Sequence, residues 1–315
     1  MFYSPILRGK QFELIALRDI AQIITNSKKI FPIIEPVKAN FPSLNKAIES
    51  LINNNIKVGV VLNPTVGDLT ADSINDLKSK LDTKFFDSEN FTPFVYIKKK
   101  TQKEFWDIIS SFPKIGIIVH ALSDLHNDSF LQLLESGKIK TALFLDENRK
   151  LRKSLQDKGV KVALIKDKFT PRKRNADYID NDDELFTEEH IYASSDGYDG
   201  FSDYTLMQSE FTEGGWLPYA IAIHLSYVNS ENQVFVKHLV SDSNDDTSNV
   251  QGKFGEALKK AIDFYNGKYP KTHAFELLVE YNNSGEYPGL GILKKISTMH
   301  HLELMNFIPW ENEDL

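Results

Sequence analysis

No cysteine occurs among the 315 residues, which excludes disulfides, thiolate zinc sites, iron–sulfur clusters and a cysteine nucleophile. A cysteine-free composition fits a reducing compartment. No uninterrupted apolar stretch opens the chain, because Arg8 and Lys10 already charge it, and no run approaches a membrane span. A cytoplasmic protein without membrane association is the expectation. An excess of positive charge is also missing: 37 Lys and Arg against 44 Asp and Glu give −7 at pH 7. That balance argues against broad nucleic-acid binding, while a local basic loop could still hold a phosphate. Two phosphate motifs are absent: "RGKQFE" has one glycine and no G-x-G-x-x-G, and no Walker A pattern occurs.

What is present is a rhythm of short apolar runs alternating with helix-length amphipathic stretches, the mark of α/β structure. The runs are "PILRGKQ", "IFPIIEPVK", "KVGVVLNP", "TPFVYIKKK", "KIGIIVHAL", "KTALFLDEN" and "VKVALIKD", with "GFSDYTLM" as an eighth. Most are apolar on both faces, as parallel strands covered by helices are. Helices are expected over 13–27, 43–53, 71–81, 101–111, 128–136 and 148–157, with Ser43 and Thr101 as N-caps and Gly137 and Gly159 as stops. Strand-to-strand spacing is roughly 25 to 35 residues, one βα unit. These features predict a (β/α)8 TIM-like barrel in one domain, with an open doubly wound parallel sheet as the alternative. The repeat spans 1–205. Residues 206–315 form an extension, in which "PYAIAIHLSYVNSENQVFVKHLVSD" reads as a β-hairpin and "GKFGEALKKAIDFYNG" and "HAFELLVEYNNSG" as helices.

In parallel α/β folds chemistry gathers at the carboxyl ends of the strands. The candidates there are Arg8 and Lys10, Glu35, Asn63, Lys98, His120, Asp146, Lys166 and, after the eighth run, Asp203. Polar residues end any strand, but this mixture of types after branched or aromatic runs ("IIE", "VLN", "YIK", "IVH", "FLD") suggests a lined pocket. Glu35 and Asp146 have acid–base chemistry, Lys98 that of a clamp or Schiff-base amine, and His120 that of a proton shuttle. Arg8, Lys10, Arg172 and Arg174 are candidate anion ligands, with Gln11 an amide donor and Asn63, Lys166 and Asp203 completing the ring. Arg172 and Arg174 could equally pair with the acidic run behind them. His120 with Glu35, Asp146 and Asp203 could ligate a divalent ion, but no motif assigns a metal site or a cofactor. His224 and His238 read as packed or hydrogen-bonded strand residues, and Trp216 as an edge aromatic or lid anchor.

The segments "PILRGKQFELIALR", "IFPIIEPVK", "RNADY", "SDYT" and "HLSYVN…VFVKHLVSD…GKFGEAL" occur in an order that resembles the beta-protein family of phage and bacterial proteins. Pro5, Leu7, Lys10, Gln11, Glu13, Ala16 and Leu17 fit its opening P-x-L-x-x-K-Q-x-E-x-x-A-L pattern. The resemblance implies a barrel-like α/β fold and a phage, mobile-element or antiviral-defence setting, and it assigns no catalytic residue. Two functions follow. One is an enzyme acting on a small anionic or phosphorylated ligand, in which Glu35, Lys98, His120 and Asp146 converge in one pocket. The other is a non-catalytic recognition module that binds a protein partner through an exposed apolar patch on "YAIAIHLSYV" or "HLELMNFIPW".

Overall fold

The computed structural model describes residues 1–315 except 100–101, 121–124, 126, 208, 212–217 and 312–315. The expected N-cap Thr101 and Trp216, expected as an edge aromatic or lid anchor, lie outside the described residues.

The protein is an α/β molecule built on a curled, nine-strand parallel sheet. Its strands are β1 (Phe2–Tyr3), β2 (Ile6–Leu7), β3 (Ile33–Ile34), β4 (Val58–Val61), β5 (Phe91–Ile97), β6 (Ile115–Val119), β7 (Ile139–Phe144), β8 (Lys161–Ile165) and β10 (Gly200–Ser202). They lie in the order β1-β10-β8-β7-β6-β5-β4-β3-β2. The two ends of that order, β1 and β2, are separated in the chain only by Ser4 and Pro5. On one side of this segment Ser4 N–H donates to the Phe201 carbonyl and Ile6 N–H to that of Asp203. On the other, Phe31, Ile33 and Glu35 N–H groups donate to the carbonyls of Tyr3, Pro5 and Leu7.

Helices follow the strands: α1 (Gln11–Ile23), α2 (Phe41–Asn53), α3 (Ile74–Lys80), α4 (Lys103–Ser110), α5 (Asp128–Glu135), α6 (Arg149–Asp157) and the short α7 (Glu189–Tyr192). Side-chain caps set the starts of four of them, at Asn40, Ser73, Asn127 and Asn148. The expected cap Ser43 is instead the residue whose N–H is capped by Asn40. Pro42 fits inside the first turn, where its missing N–H costs nothing. Gly137 and Gly159 end α5 and α6 with φ of +67° and +77°, a conformation that favours glycine.

Two apolar layers result. The outer one lies between sheet and helices; the inner one joins Ile6, Ile33, Val61, Phe94, Ile118 and Leu143 from successive strands. Phe94 fills the space left by Gly59 and Gly116 on the flanking strands, where an added Cβ would lie 2.7 and 2.3 Å from its ring.

The boundary expected at 205 is crossed by strand pairing. β9 (Asp183–Thr187), inside the polar insertion, pairs antiparallel with β12 (Val234–Val240), which pairs with β11 (Ala222–Val228). The hairpin and the insertion thus make one three-strand sheet. α8 (Val250–Tyr265), α9 (His273–Ser284) and α10 (Leu290–Phe307) complete the chain. α10 packs on α1 and β11 and buries His300, His301 and Glu303. Most apolar residues of the two segments expected to expose a patch are buried, Ile221, Ile223 and Leu225 in one and Leu302, Met305 and Trp310 in the other, while Tyr219 and Phe307 are exposed.

A polar network joins the extension to the parallel sheet. Tyr3 OH donates to Asp203 Oδ1 at 2.7 Å and lies 3.0 Å from His301 Nε2, and His301 Nδ1 lies 2.7 Å from Ser226 Oγ on β11. His300 Nε2 lies 2.8 Å from the Ser226 carbonyl and its Nδ1 2.7 Å from Thr272 Oγ1. Burial, reinforced by His300 for its neighbour, pushes His300 down to about 4 and His301 to about 3. Burial likewise holds His190 at about 4 and His224 at about 3. When unfolded, these four take protons near the ordinary 6.5, so their contribution is present above that pH and is lost as pH falls toward 4. Asp203 acts oppositely: burial raises it to about 7, so its contribution is complete below 3.8 and fades as pH rises through 7. Four groups outweigh one between these limits. The urea unfolding midpoint should therefore be lower at about pH 5 than at about pH 7; an equal or higher midpoint at pH 5 would contradict this assignment.

Candidate functional site

Side chains alternate across a strand, so the residue two positions beyond an inward-facing one also points inward. That parity carries Ile6 on to Arg8, Ile33 to Glu35 and Phe94 to Tyr96, at the carboxyl ends of β2, β3 and β5. The three side chains meet. Glu35 is fully buried, and its Oε2 accepts from Arg8 Nη1 and, at 3.0 Å, from Tyr96 OH. Its Oε1 accepts from Thr65 N–H at 2.7 Å and Thr65 Oγ1 at 3.0 Å. Arg8 also donates through Nη2 to the Ser209 carbonyl, and its guanidinium lies 4.9 Å from the Tyr204 ring centroid. Its Nε is buried with no partner among the described residues. Burial, and then the charge of Glu35, push the Tyr96 phenol well up, which keeps it a hydrogen-bond donor.

Around this pair stand further cations. Lys10 Nζ lies 4.8 Å from the Phe211 ring centroid. Its pKa is lowered by burial and by the positive charges of Lys294, Arg8 and Lys38, with Glu13 opposing. Lys38 is paired with Asp68 at 3.0 Å. Three basic residues, Arg8 and Lys38 from the loops after β2 and β3 and Lys294 from α10, thus act on Lys10 at this edge of the sheet.

The remaining predicted residues divide by position. Asn63 is committed to the backbone of Tyr96, donating from Nδ2 to its carbonyl at 2.9 Å and accepting its N–H at 2.8 Å. Lys98 is exposed and lines an adjoining cavity of about 380 Å³ with Asn63, Asp72, Tyr96 and Gln102. His120 and Asp146 are exposed after β6 and β7, and neither is a partner of Glu35. The single pocket expected for Glu35, Lys98, His120 and Asp146 is therefore corrected. Parallel strands bring all four to one edge of the sheet, but Glu35 alone enters the buried cluster. Asp146 follows inward-facing Leu145 and so has the wrong parity.

Asp203 and Lys166 have that parity too. Asp203 faces Tyr3 and accepts from Thr205 N–H at 2.8 Å, while Lys166 pairs with Glu189 at 2.7 Å. Arg174 pairs with Asp177 at 2.7 Å, the alternative role given for the basic cluster, and Arg172 donates its backbone N–H to Tyr178 OH at 3.1 Å. Neither joins Arg8. Gln11 is the exposed first residue of α1. No group of three or more His, Asp or Glu that could hold a metal ion is found among the described residues, so His120, Glu35, Asp146 and Asp203 form no such set. Sequence reading missed Thr65, Tyr96, Tyr204 and Lys294. Tyr96 carried a signal, a phenol two residues past an inward Phe94; Lys294, distant in sequence, carried none.

No family model matches the chain, and no curated protein matches it.

Removing one member of a buried ion pair strands the other. Glu35→Ala should destabilise the protein by about 3–5 kcal/mol in urea unfolding. The double variant Arg8→Met with Glu35→Met should recover part of that loss, because it leaves no charge unpaired; a double variant no better than Glu35→Ala would contradict the pairing.

Proposed function

We propose that the chain binds a small anionic, phosphorylated ligand at the carboxyl edge of its parallel sheet, as a barrel-type enzyme. The observation that carries this reading is the placement of four basic residues at one edge of the sheet: Arg8 and Lys10 after β2, Lys38 after β3, and Lys294 on α10, which packs on α1; burial, with the other three, lowers Lys10. Glu35 and Asp68 offset Arg8 and Lys38, and Glu13 acts favourably on Lys10. An anion beside Lys10 and Lys294 would raise Lys10 further. Arg8 is then a positioning residue, locked by Glu35, the Ser209 carbonyl and the Tyr204 ring.

The finer fold reading belongs to this proposal. Counting residues 2–7 as one strand hydrogen-bonded on both sides, with consecutive strand order and a continuous inner layer, supports a (β/α)8 TIM-like barrel. Ligands of such barrels bind at the edge where this cluster lies. The opening P-x-L-x-x-K-Q-x-E pattern, which contains Lys10, supports membership of the beta-protein family and a phage-defence setting. Recognition of a protein partner through an apolar patch is the less favoured reading, since most of both candidate segments is buried and only Tyr219 and Phe307 stand exposed there.

Calorimetric titration of inorganic phosphate tests the reading. Saturable binding is expected, weakened about tenfold in Lys10→Met, the effect of one charged hydrogen bond of about 1.4 kcal/mol. Absence of saturable binding, or equal affinity in the variant, would sink it.

A further inference from the structure

β11 and β12 place His224 directly opposite His238, with their Nδ1 atoms 2.6 Å apart. His238 Nε2 lies 3.2 Å from Glu184 Oε1, on β9. Glu184 is itself held in place: Oε1 accepts from Thr170 N–H and Oε2 from Asn181 Nδ2, both at 3.3 Å. Phe169, just past β8, packs edge-on against both imidazoles at 5.6 and 5.9 Å, and Tyr178 lies 4.9 and 4.4 Å from them. Among the described residues no group hydrogen-bonds His224 Nε2, and the residue is only half-buried.

The donors and acceptors of this chain have one consistent order. A carboxylate only accepts, so His238 must donate Nε2–H to Glu184. A neutral imidazole with its proton on Nε2 has a lone pair on Nδ1, which accepts Nδ1–H from His224. His224 Nε2 is then left with a bare lone pair. We infer that Glu184, His238 and His224 form a relay that fixes His224 in the Nδ1–H form and presents its Nε2 as a proton acceptor for a ligand hydroxyl.

Charges facing the relay favour this form. Burial, then His238 and Lys294, keep His224 neutral; burial and Arg172 oppose a charge on His238, against Glu184 and Asp183. α10, which carries Lys294, packs on β11, which carries His224, and on α1, which follows Lys10, so the relay borders the cationic edge of the sheet. A ligand whose anionic group sits by Lys10 and Lys294 would bring a neighbouring hydroxyl toward His224. The ligand class is accordingly a hydroxylated phosphate ester, which rests on the proposed anion site; the relay itself does not.

Two measurements separate these claims. The first is the nitrogen spectrum of the full chain labelled with 15N-histidine near neutral pH, with His224 assigned by the loss of its signals in His224→Gln. Expected are a protonated Nδ1 and a bare Nε2 on His224, and the reverse on His238. A proton on His224 Nε2, or protons on both nitrogens of His238, would overturn the relay whatever the ligand results. The second is titration with glycerol 3-phosphate and with methyl phosphate, which has no carbon-borne hydroxyl. Both should perturb Lys10, and only glycerol 3-phosphate should move the His224 Nε2 resonance upfield toward a hydrogen-bonded nitrogen. Perturbation of Lys10 by both with no Nε2 shift overturns the hydroxyl contact alone; no perturbation of Lys10 overturns the anion site and the ligand contact with it.

Discussion

Residues 2–7 are hydrogen-bonded on both sides, to 199–203 and to 29–35, and the rest of the structure depends on that double pairing. It brings the last parallel strand beside the first. Even-numbered side chains of the segment point into the inner layer, so Ile6 packs there and Arg8 emerges at its end against Glu35. The odd-numbered Tyr3 points outward, stacks on Phe201 at 4.9 Å and reaches Asp203 and His301. One short strand therefore sets both the buried ion pair of the candidate site and the anchor of the C-terminal extension.

The ion pair is not by itself a source of stability, because desolvating two charges costs about as much as their attraction returns. What it supplies is position. Four donors on Glu35, and the carbonyl of Ser209 with the face of Tyr204 on Arg8, leave each group few alternative arrangements. Tyr204 and Ser209 are held by the same contacts, with Asp167 accepting from Ser209 N–H at 2.9 Å. The extension then brings Lys294 to this edge through α10, and the hairpin brings His224. A parallel sheet alone would offer Arg8 and Lys10; the extension adds Lys294 to them.

The parallel α/β architecture was legible because runs such as "KIGIIVHAL" and "KTALFLDEN" are apolar on both faces and evenly spaced. The strand ends were legible as a set, but parity, which was not applied, sorts them. Arg8, Glu35, Asn63, Lys98 and His120 continue the inward series, while Asp146, Lys166 and Asp203 do not; of the first group only Arg8 and Glu35 are buried, and Lys98 and His120 stand exposed beyond the sheet. The insertion hid β9, since "DELFT" is polar and half-exposed, and its pairing with β12 spans a distance in sequence that no local pattern records. α10 was hidden for another reason. "ISTMHHLELM" buries Ser297, His300, His301 and Glu303 along with its apolar residues, so it lacks the polar face that marks a surface helix. His300, His301 and Glu303 are satisfied by Ser226, Thr272 and the start of α9, partners that appear only once the chain has folded.

The central claim is that an anion belongs between Lys10 and Lys294. The most direct measurement is an anomalous difference map from crystals soaked in tungstate, an oxyanion with the shape of phosphate and a strong anomalous signal. The account predicts a peak within hydrogen-bonding reach of Lys10 Nζ, beside Lys294 and Arg8. Tungstate seated only on Arg174 and Lys173 of the exposed insertion, with nothing at Lys10, would contradict it.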